Sequence, residues 1–275
     1  MLAAGSGGAQ TPAPTAVGGR LGNDPPVTLI VPTAPVPEAG PDAGVQHEQV
    51  PCADRGKLKL IVRDFQIAHP DFERGFNINS LFAKSGAGEK GLVKPQFVMG
   101  YPAYAYAGPS PGGEVEGPVS FHQWYVDDPS VNKRFEITLN LTEDRPGHYV
   151  YDSDAFFPID DMGFGNEGNP HNYHFTTEVR TELTYVGGEV FTFRGDDDLW
   201  MFINEQLVID LGGTHSPLEA SVNLDLEATR LGLVRGQTYP MAIFHAERHT
   251  TGSNYRIETN ISCFKVVEPP PPALL

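Results

Sequence analysis

Phe135-Glu136-Ile137-Thr138-Leu139-Asn140-Leu141 sets an apolar side chain at every second position, and Ala220-Ser221-Val222-Asn223-Leu224-Asp225-Leu226 repeats the pattern. A period of two sends alternate side chains to opposite faces of an extended chain, so both stretches predict half-buried strands. Further strands are expected over Phe175–Tyr185, Val190–Phe193, Leu199–Ile203, Leu207–Leu211, Tyr239–Phe244 and Tyr255–Cys263, with Gly187-Gly188, Gly212-Gly213 and Gly236 between them. Many short strands joined by Gly-bearing turns predict an all-β fold, an antiparallel β-sandwich with long loops. Helix is expected only in short pieces, at Pro70–Arg74, where Pro suits a first turn, and at Leu226–Leu231.

Composition points the same way. The 275 residues include 30 Gly and 25 Pro, and in a helix interior each Gly costs about 1 kcal/mol and each Pro about 3 kcal/mol. The formal charge of -16 and pI of about 4.8 exclude nucleic acid and anionic membrane faces as partners, because both require clustered Lys and Arg. No apolar run approaches the roughly 18 residues of a membrane span.

Residues 1–50 hold 8 Pro, 8 Gly and 8 Ala and no aromatic residue, too little apolar surface to offset the entropy of ordering. They are expected to be a disordered leader or linker, with Val27–Val31 the one stretch able to dock as an edge strand. The start has neither a basic n-region nor an apolar h-region, so no intact signal peptide is visible. Residues 268–275, with Pro269 to Pro272, read as a stiff Pro-rich linker. The folded unit is expected over 52–267. Cys52 and Cys263 bracket it, each beside an alternating stretch, and side-by-side pairing of the first and last strands would bring them together. A bridge closing about 210 residues is worth about 5 kcal/mol in the chain-entropy model. It would indicate a secreted or cell-surface location; the alternative is two unpaired buried thiols.

Two loops could carry chemistry. In Gly195-Asp196-Asp197-Asp198-Leu199, three adjacent carboxylates repel one another unless a cation neutralises them, and Ca²⁺ suits such an oxygen-rich set; the plainer reading is a solvated acidic turn. In Phe244-His245-Ala246-Glu247-Arg248-His249, a strand continued through His249 would turn His245, Glu247 and His249 to one face. That trio could ligate zinc or iron, although hydrogen bonds to the neighbouring loop are the commoner role. A third acidic region, Asp152 to Glu167, reads as a solvated loop rather than a second ion site. Aromatic residues from Tyr101 to Tyr125, Trp124 among them, could stack on sugar rings or pack an insertion onto the sandwich.

From Val62 to Ile261 the chain resembles the bacterial fibro-slime domain, a branch of the protective-antigen (PA-fourteen) β-sandwich superfamily. The matching stretches are Arg63-Asp64-Phe65, Gly163-Phe164-Gly165-Asn166-Glu167-Gly168, His171–Glu178, Phe193–Asn204, Val208–Gly213 and His245–Asn260. The resemblance implies a secreted or surface sandwich in which an adjacent Asp pair, joined by a cis peptide, holds Ca²⁺. Asp196 and Asp197 fall on that pair, with Asp198 where many relatives have Gly. Glu247 falls on an Asn position of the second loop, which keeps an oxygen ligand and adds charge. By the same analogy the carbonyls of His249 and Thr251 complete the shell, and Asp198, Arg248, His249 and Asn254 would orient a ligand. Asn204-Glu205 stands where Asn-Gly would suit a two-residue hairpin, so a longer turn is expected there.

These readings converge on a Ca²⁺-bearing recognition module of a surface or matrix adhesin, with a glycan or surface polysaccharide as ligand and other surface proteins as possible partners. A structural spacer braced by the ion is the first rival. A metal-dependent hydrolase built on Asp196, Asp197, His245 and His249 is the second. Against an enzyme stand the absence of a Gly-x-Ser-x-Gly elbow or phosphate loop, and adjacent carboxylates that cannot face each other across about 5 Å as glycosidases require.

Overall fold

The structure, a computed structural model, describes residues 52, 55–74, 88–250 and 252–270. In chain order the elements are β1 (Lys57–Phe65), α1 (Pro118–His122), β2 (Asn132–Asn140), β3 (Thr142–Arg145), β4 (His148–Ser153), β5 (Phe175–Thr184), β6 (Val190–Gly195), β7 (Asp198–Ile203), β8 (Gln206–Leu211), β9 (Leu218–Asn223), α2 (Leu224–Leu231), β10 (Thr238–Glu247), β11 (Tyr255–Thr259) and β12 (Lys265–Val266). The leader expected over 1–50, including Val27–Val31, lies outside the described residues, as does Thr251.

The strands form an antiparallel β-sandwich. One sheet of seven strands runs β2-β1-β5-β10-β7-β8, with β12 also against β5; the other, of five strands, runs β3-β4-β11-β6-β9. Inward side chains such as Leu60, Val62, Val179 and Met201 meet Phe191, Phe193 and Ile257 of the facing sheet in one apolar core. β7 departs from the period-two pattern because it is buried on both faces. Leu199, Met201 and Ile203 join the inter-sheet core, whereas Trp200 and Phe202 pack with Leu92, Val115, Phe121 and Trp124 of the 88–126 segment, which covers the outer face. A strand covered twice reads as a continuous apolar run.

Four local expectations are corrected. The Ala220–Leu226 alternation is not one strand: Asn223 ends β9 and its side chain accepts from the backbone N–H of Asp225 and Leu226 at 3.0 and 3.4 Å, which starts α2. Asp225 and Glu227 in the first turn and left-handed Gly232 at the end complete the helix signals, and Leu226 is left exposed. Pro70–Arg74 forms turns rather than helix. The β7–β8 hairpin keeps a two-residue turn, with Asn204 and Glu205 both left-handed at φ 48° and 62°. Neighbours hold that turn: the Asn204 side chain donates to Leu231 O at 2.8 Å, and Glu205 O accepts from Phe97 N at 3.0 Å. Lastly, β1 and β11 lie in different sheets, yet Cys52 and Cys263 are disulfide-bonded. The segments entering β1 and leaving β11 meet instead at the sandwich end, where Gly56 N donates to Ser262 O at 3.1 Å.

The bridge closes a sequence separation of 211 residues. Replacing both cysteines by serine is expected to lower the unfolding free energy by about 3–5 kcal/mol in urea titrations, with wild type in reductant shifted to match.

Candidate functional site

β6 and β7 are consecutive, and the two residues between them, Asp196 and Asp197, are joined by a cis peptide. Gly195 leads into the pair because a Cβ there would lie 2.6 Å from Asn254 O. That close approach aligns Asp196 with the second loop: its carboxylate accepts from Asn254 N at 2.6 Å and Asn254 Nδ2 at 2.9 Å. β10 pairs with β7, His245 opposite Leu199 and Ala246 opposite Asp198, which brings Glu247, Arg248 and His249 to the same end of the sandwich.

Asp197 is nearly buried. It accepts from His215 N at 3.2 Å and Arg248 N at 3.3 Å, and the His249 ring lies 3.4 Å away. His249 also donates from Nε2 to Arg74 O at 3.1 Å. Burial opposes charge on both partners, and the pairing overrides it: Asp197 is held below the usual carboxylate range and His249 above the usual imidazole range. Glu247 is different. Burial, and then repulsion from Asp197 and Asp196, pushes its carboxyl well above the ordinary value. The Ser253 hydroxyl lies alongside and eases this, yet neither it nor Glu247 Oε2 makes a hydrogen bond of ordinary geometry. Burial likewise raises Asp196, with Asn254 offsetting part of the effect.

Asp198 and Arg248, expected to orient a ligand, are corrected to structural residues: both are 0% exposed. Arg248 Nε donates to Asp198 at 2.6 Å, and Nη1 donates to the carbonyls of Asp71 and Glu114, each at 3.1 Å. The guanidinium also lies over the Trp124 ring, 4.9 Å from its centroid. Burial and the neighbouring Asp197 and Glu114 push Asp198 up to about 6 despite this pairing.

The His245, Glu247, His249 trio does not assemble as a transition-metal site, because β10 ends at Glu247 and the rings diverge. His245 points into the core and donates to Asp196 O at 2.8 Å; burial holds it neutral, its pKa pulled down to about 4. Trp124, Tyr125, Tyr101 and Tyr104 are buried packing residues rather than stacking surfaces for a sugar. In the 152–167 region, Asp160 accepts from Asn172 N and His171, and Asp161 bonds with Asn166, so these side chains serve the loop itself. Sequence reasoning missed Asp71, Glu114 and His215. Glu114 and Asp71 lie 134 and 177 residues from Arg248 along the chain, and no local pattern marks such a partner.

Among the described residues, no three His, Cys, Asp or Glu side chains are closed round one point as an ion cage. The chemistry of the remaining donors is that of a hard-cation ligand set: Asp196, Asp197 and Glu247 offer carboxylate oxygens on the two loops, and Glu247 Oε2 is buried without a hydrogen-bond partner, whereas Asp198 and Glu114 are engaged by Arg248.

Residues 138–273 match the PA14 domain family. The chain is a PA14-like β-sandwich. Protein psiR of Dictyostelium discoideum is 40% identical over 219 residues, 74% of this chain and 21% of that protein; psiQ of the same organism is 43% identical over 162 residues, 54% of this chain and 16% of that protein. The chain thus spans about a fifth or less of the length of these relatives. Among solved structures, a PA14 sugar-binding domain from an RTX adhesin aligns over 44% of this chain and 75% of its own, with a TM-score of 0.27 and 11% identity.

Two outcomes follow from the charges at these loops. His249, raised by Asp197, stabilises the fold at low pH and ceases to do so as pH rises through its folded value; Glu247, raised by burial, favours the fold when protonated and disfavours it when ionised. In chelator, the thermal midpoint is therefore expected to fall from pH 6.5 to 8.5, and millimolar calcium should flatten that fall; equal slopes would contradict the cation fit. Arg248→Ala should cost about 3–5 kcal/mol in urea denaturation, because it leaves buried carboxylates without their counter-charge.

Proposed function

We propose that this PA14-like sandwich is an extracellular calcium-binding recognition module of the fibro-slime type, taking carbohydrate at the sandwich end formed by the 195–198 and 247–254 loops. The observation that carries this reading is that Glu247, repelled by neighbouring Asp197 and Asp196, keeps a buried carboxylate oxygen that no hydrogen bond satisfies. Those three side chains would hold the ion, with backbone carbonyls of the second loop, His249 and Thr251, as further ligands. When bound, Ca²⁺ supplies two positive charges to a carboxylate-rich cluster and a coordination sphere in which water gives way readily to vicinal hydroxyls. Asp196 and Asn254 reach the surface and would meet the sugar. Arg248 and Asp198 support the loop from below. The disulfide fits an oxidising compartment.

A second reading keeps the ion and drops the sugar. Asp197 is 6% exposed, Glu247 1% and His249 8%, so an ion among them would brace two loops from a largely closed position, as in a spacer module.

Calcium binding to the folded state alone stabilises by about 2.7 kcal/mol at a hundredfold excess over Kd. Addition of calcium to chelated protein is expected to raise Tm, and Asp197→Asn should abolish most of the rise. A glycan array probed with multimerised domain should give signals that chelator removes, multimerisation supplying avidity for a weak single site. A calcium-dependent Tm with no glycan signal would favour the bracing reading, and no calcium effect at all would remove both.

A further inference from the structure

The segment 66–74 lies against the second loop of the site. Glu73 N donates to Arg248 O at 3.0 Å, Arg74 O accepts from His249 Nε2 at 3.1 Å, and Asp71 O accepts from Arg248 Nη1 at 3.1 Å. No strand pairing holds this segment, which is built of turns. It is gripped from behind by His174, a buried residue on the approach to β5, whose Nε2 lies 3.2 Å from Glu73 Oε1 and whose Nδ1 lies 3.2 Å from Glu167 Oε2. Glu167 in turn accepts from Ile67 N at 2.7 Å, at the start of the same segment. Carboxylates only accept, so an imidazole between two of them satisfies both when it donates from both ring nitrogens. Glu73 and Glu167 each hold a left-handed backbone, φ 51° and 49°, uncommon for residues with a side chain. The Phe72 ring packs edge-on to His174, with centroids 5.9 Å apart.

We propose that His174, gripping Glu73 and Glu167, is a positioning residue that latches the 66–74 segment against the 247–249 loop and thereby sets the calcium affinity of the site. The inference rests on the cation reading above and assigns a role to residues that contact no ligand. With the latch closed, the Arg248 carbonyl and the His249 ring are held by Glu73 and Arg74, and Glu247, next in the chain, is presented to Asp197 in a single arrangement. With the latch open, the loop samples others, and a pre-organised cation site becomes one that must be ordered at the moment of binding. A purely structural His174 would lower stability equally with and without the ion, whereas a latch loosens ion binding itself.

The test is calorimetric titration of calcium into chelated wild type, His174→Gln, Glu73→Gln and Glu167→Gln, with thermal midpoints measured in chelator and in excess calcium. His174→Gln is expected to weaken calcium binding at least tenfold and to shrink the calcium-induced rise in Tm. Glu73→Gln should act in the same direction, and the double variant should be no weaker than His174→Gln alone, because the residues act through one contact. Calcium affinities within twofold of wild type, with Tm lowered equally in both conditions, would overturn the latch and leave the cation reading intact. Wild type that binds no calcium would overturn the cation reading and this inference with it. Should His174→Gln fail to fold, Glu167→Gln, altered at a partly exposed carboxylate, carries the same comparison.

Discussion

The Arg248 guanidinium is the contact on which the loop end of this PA14-like sandwich depends. It has no access to solvent, and a buried cation is tolerated only when paired and hydrogen-bonded. Its partners come from distant parts of the chain: Asp198 at the start of β7, the Asp71 carbonyl after β1, and Glu114 in the segment that covers the outer sheet face. Glu114 continues the network by accepting from Thr214 N and Oγ1 at 2.9 and 2.8 Å, beyond β8. One side chain therefore ties two strands and three connecting segments into a single unit.

That unit is rich in carboxylates. Among the described residues, buried Glu114, Asp197, Asp198 and Glu247 lie about Arg248 and His249, and Asp196 stands at the edge. In this low-dielectric setting burial, and then mutual repulsion, makes carboxyl groups resist ionisation, Glu247 most of all, and Glu247 Oε2 is left without a hydrogen-bond donor. A divalent ion would relieve repulsion, desolvation and the missing hydrogen bond together, which is why the cation reading is physically economical. Asp197 stays ionised while Glu247 resists because His249 and two backbone donors face the one, while the other lacks such donors on Oε2.

The aromatic segment 88–126 serves the same end from outside. Trp124 lies beneath the Arg248 guanidinium and donates from Nε1 to Asp71 at 2.9 Å, while Phe121 and Tyr104 stack behind it. Rings that in sequence resemble a sugar platform are consumed in covering β7 and β10 and in walling off the ion pair. At the loop rim, by contrast, Asp196 and Asn254 meet solvent.

The sequence by itself determined the class of fold and marked the two candidate loops. Period-two runs such as Phe135–Leu141 and the Gly-bearing turns specify strands through local sterics and one-sided burial, and both are legible without knowing what a strand packs against. The Asp196-Asp197 pair and Glu247 were visible because chemistry of that density is unusual in a short window. Tertiary structure alone decided which faces are covered, and hence what each site residue does. Arg248 reads as a surface ligand in sequence, yet its burial follows from Glu114 and Asp71, 134 and 177 residues away. Leu226 continues an apolar alternation, but the Asn223 cap turns the chain into a helix and leaves the side chain in water. The sheet assignment of β1 and β11, and the meeting of Cys52 with Cys263 at the sandwich end, likewise depend on long-range pairing. Local pattern encodes what a residue's neighbours in the chain impose; burial and charge balance are set by neighbours in space, and those exist only once the sheets have closed.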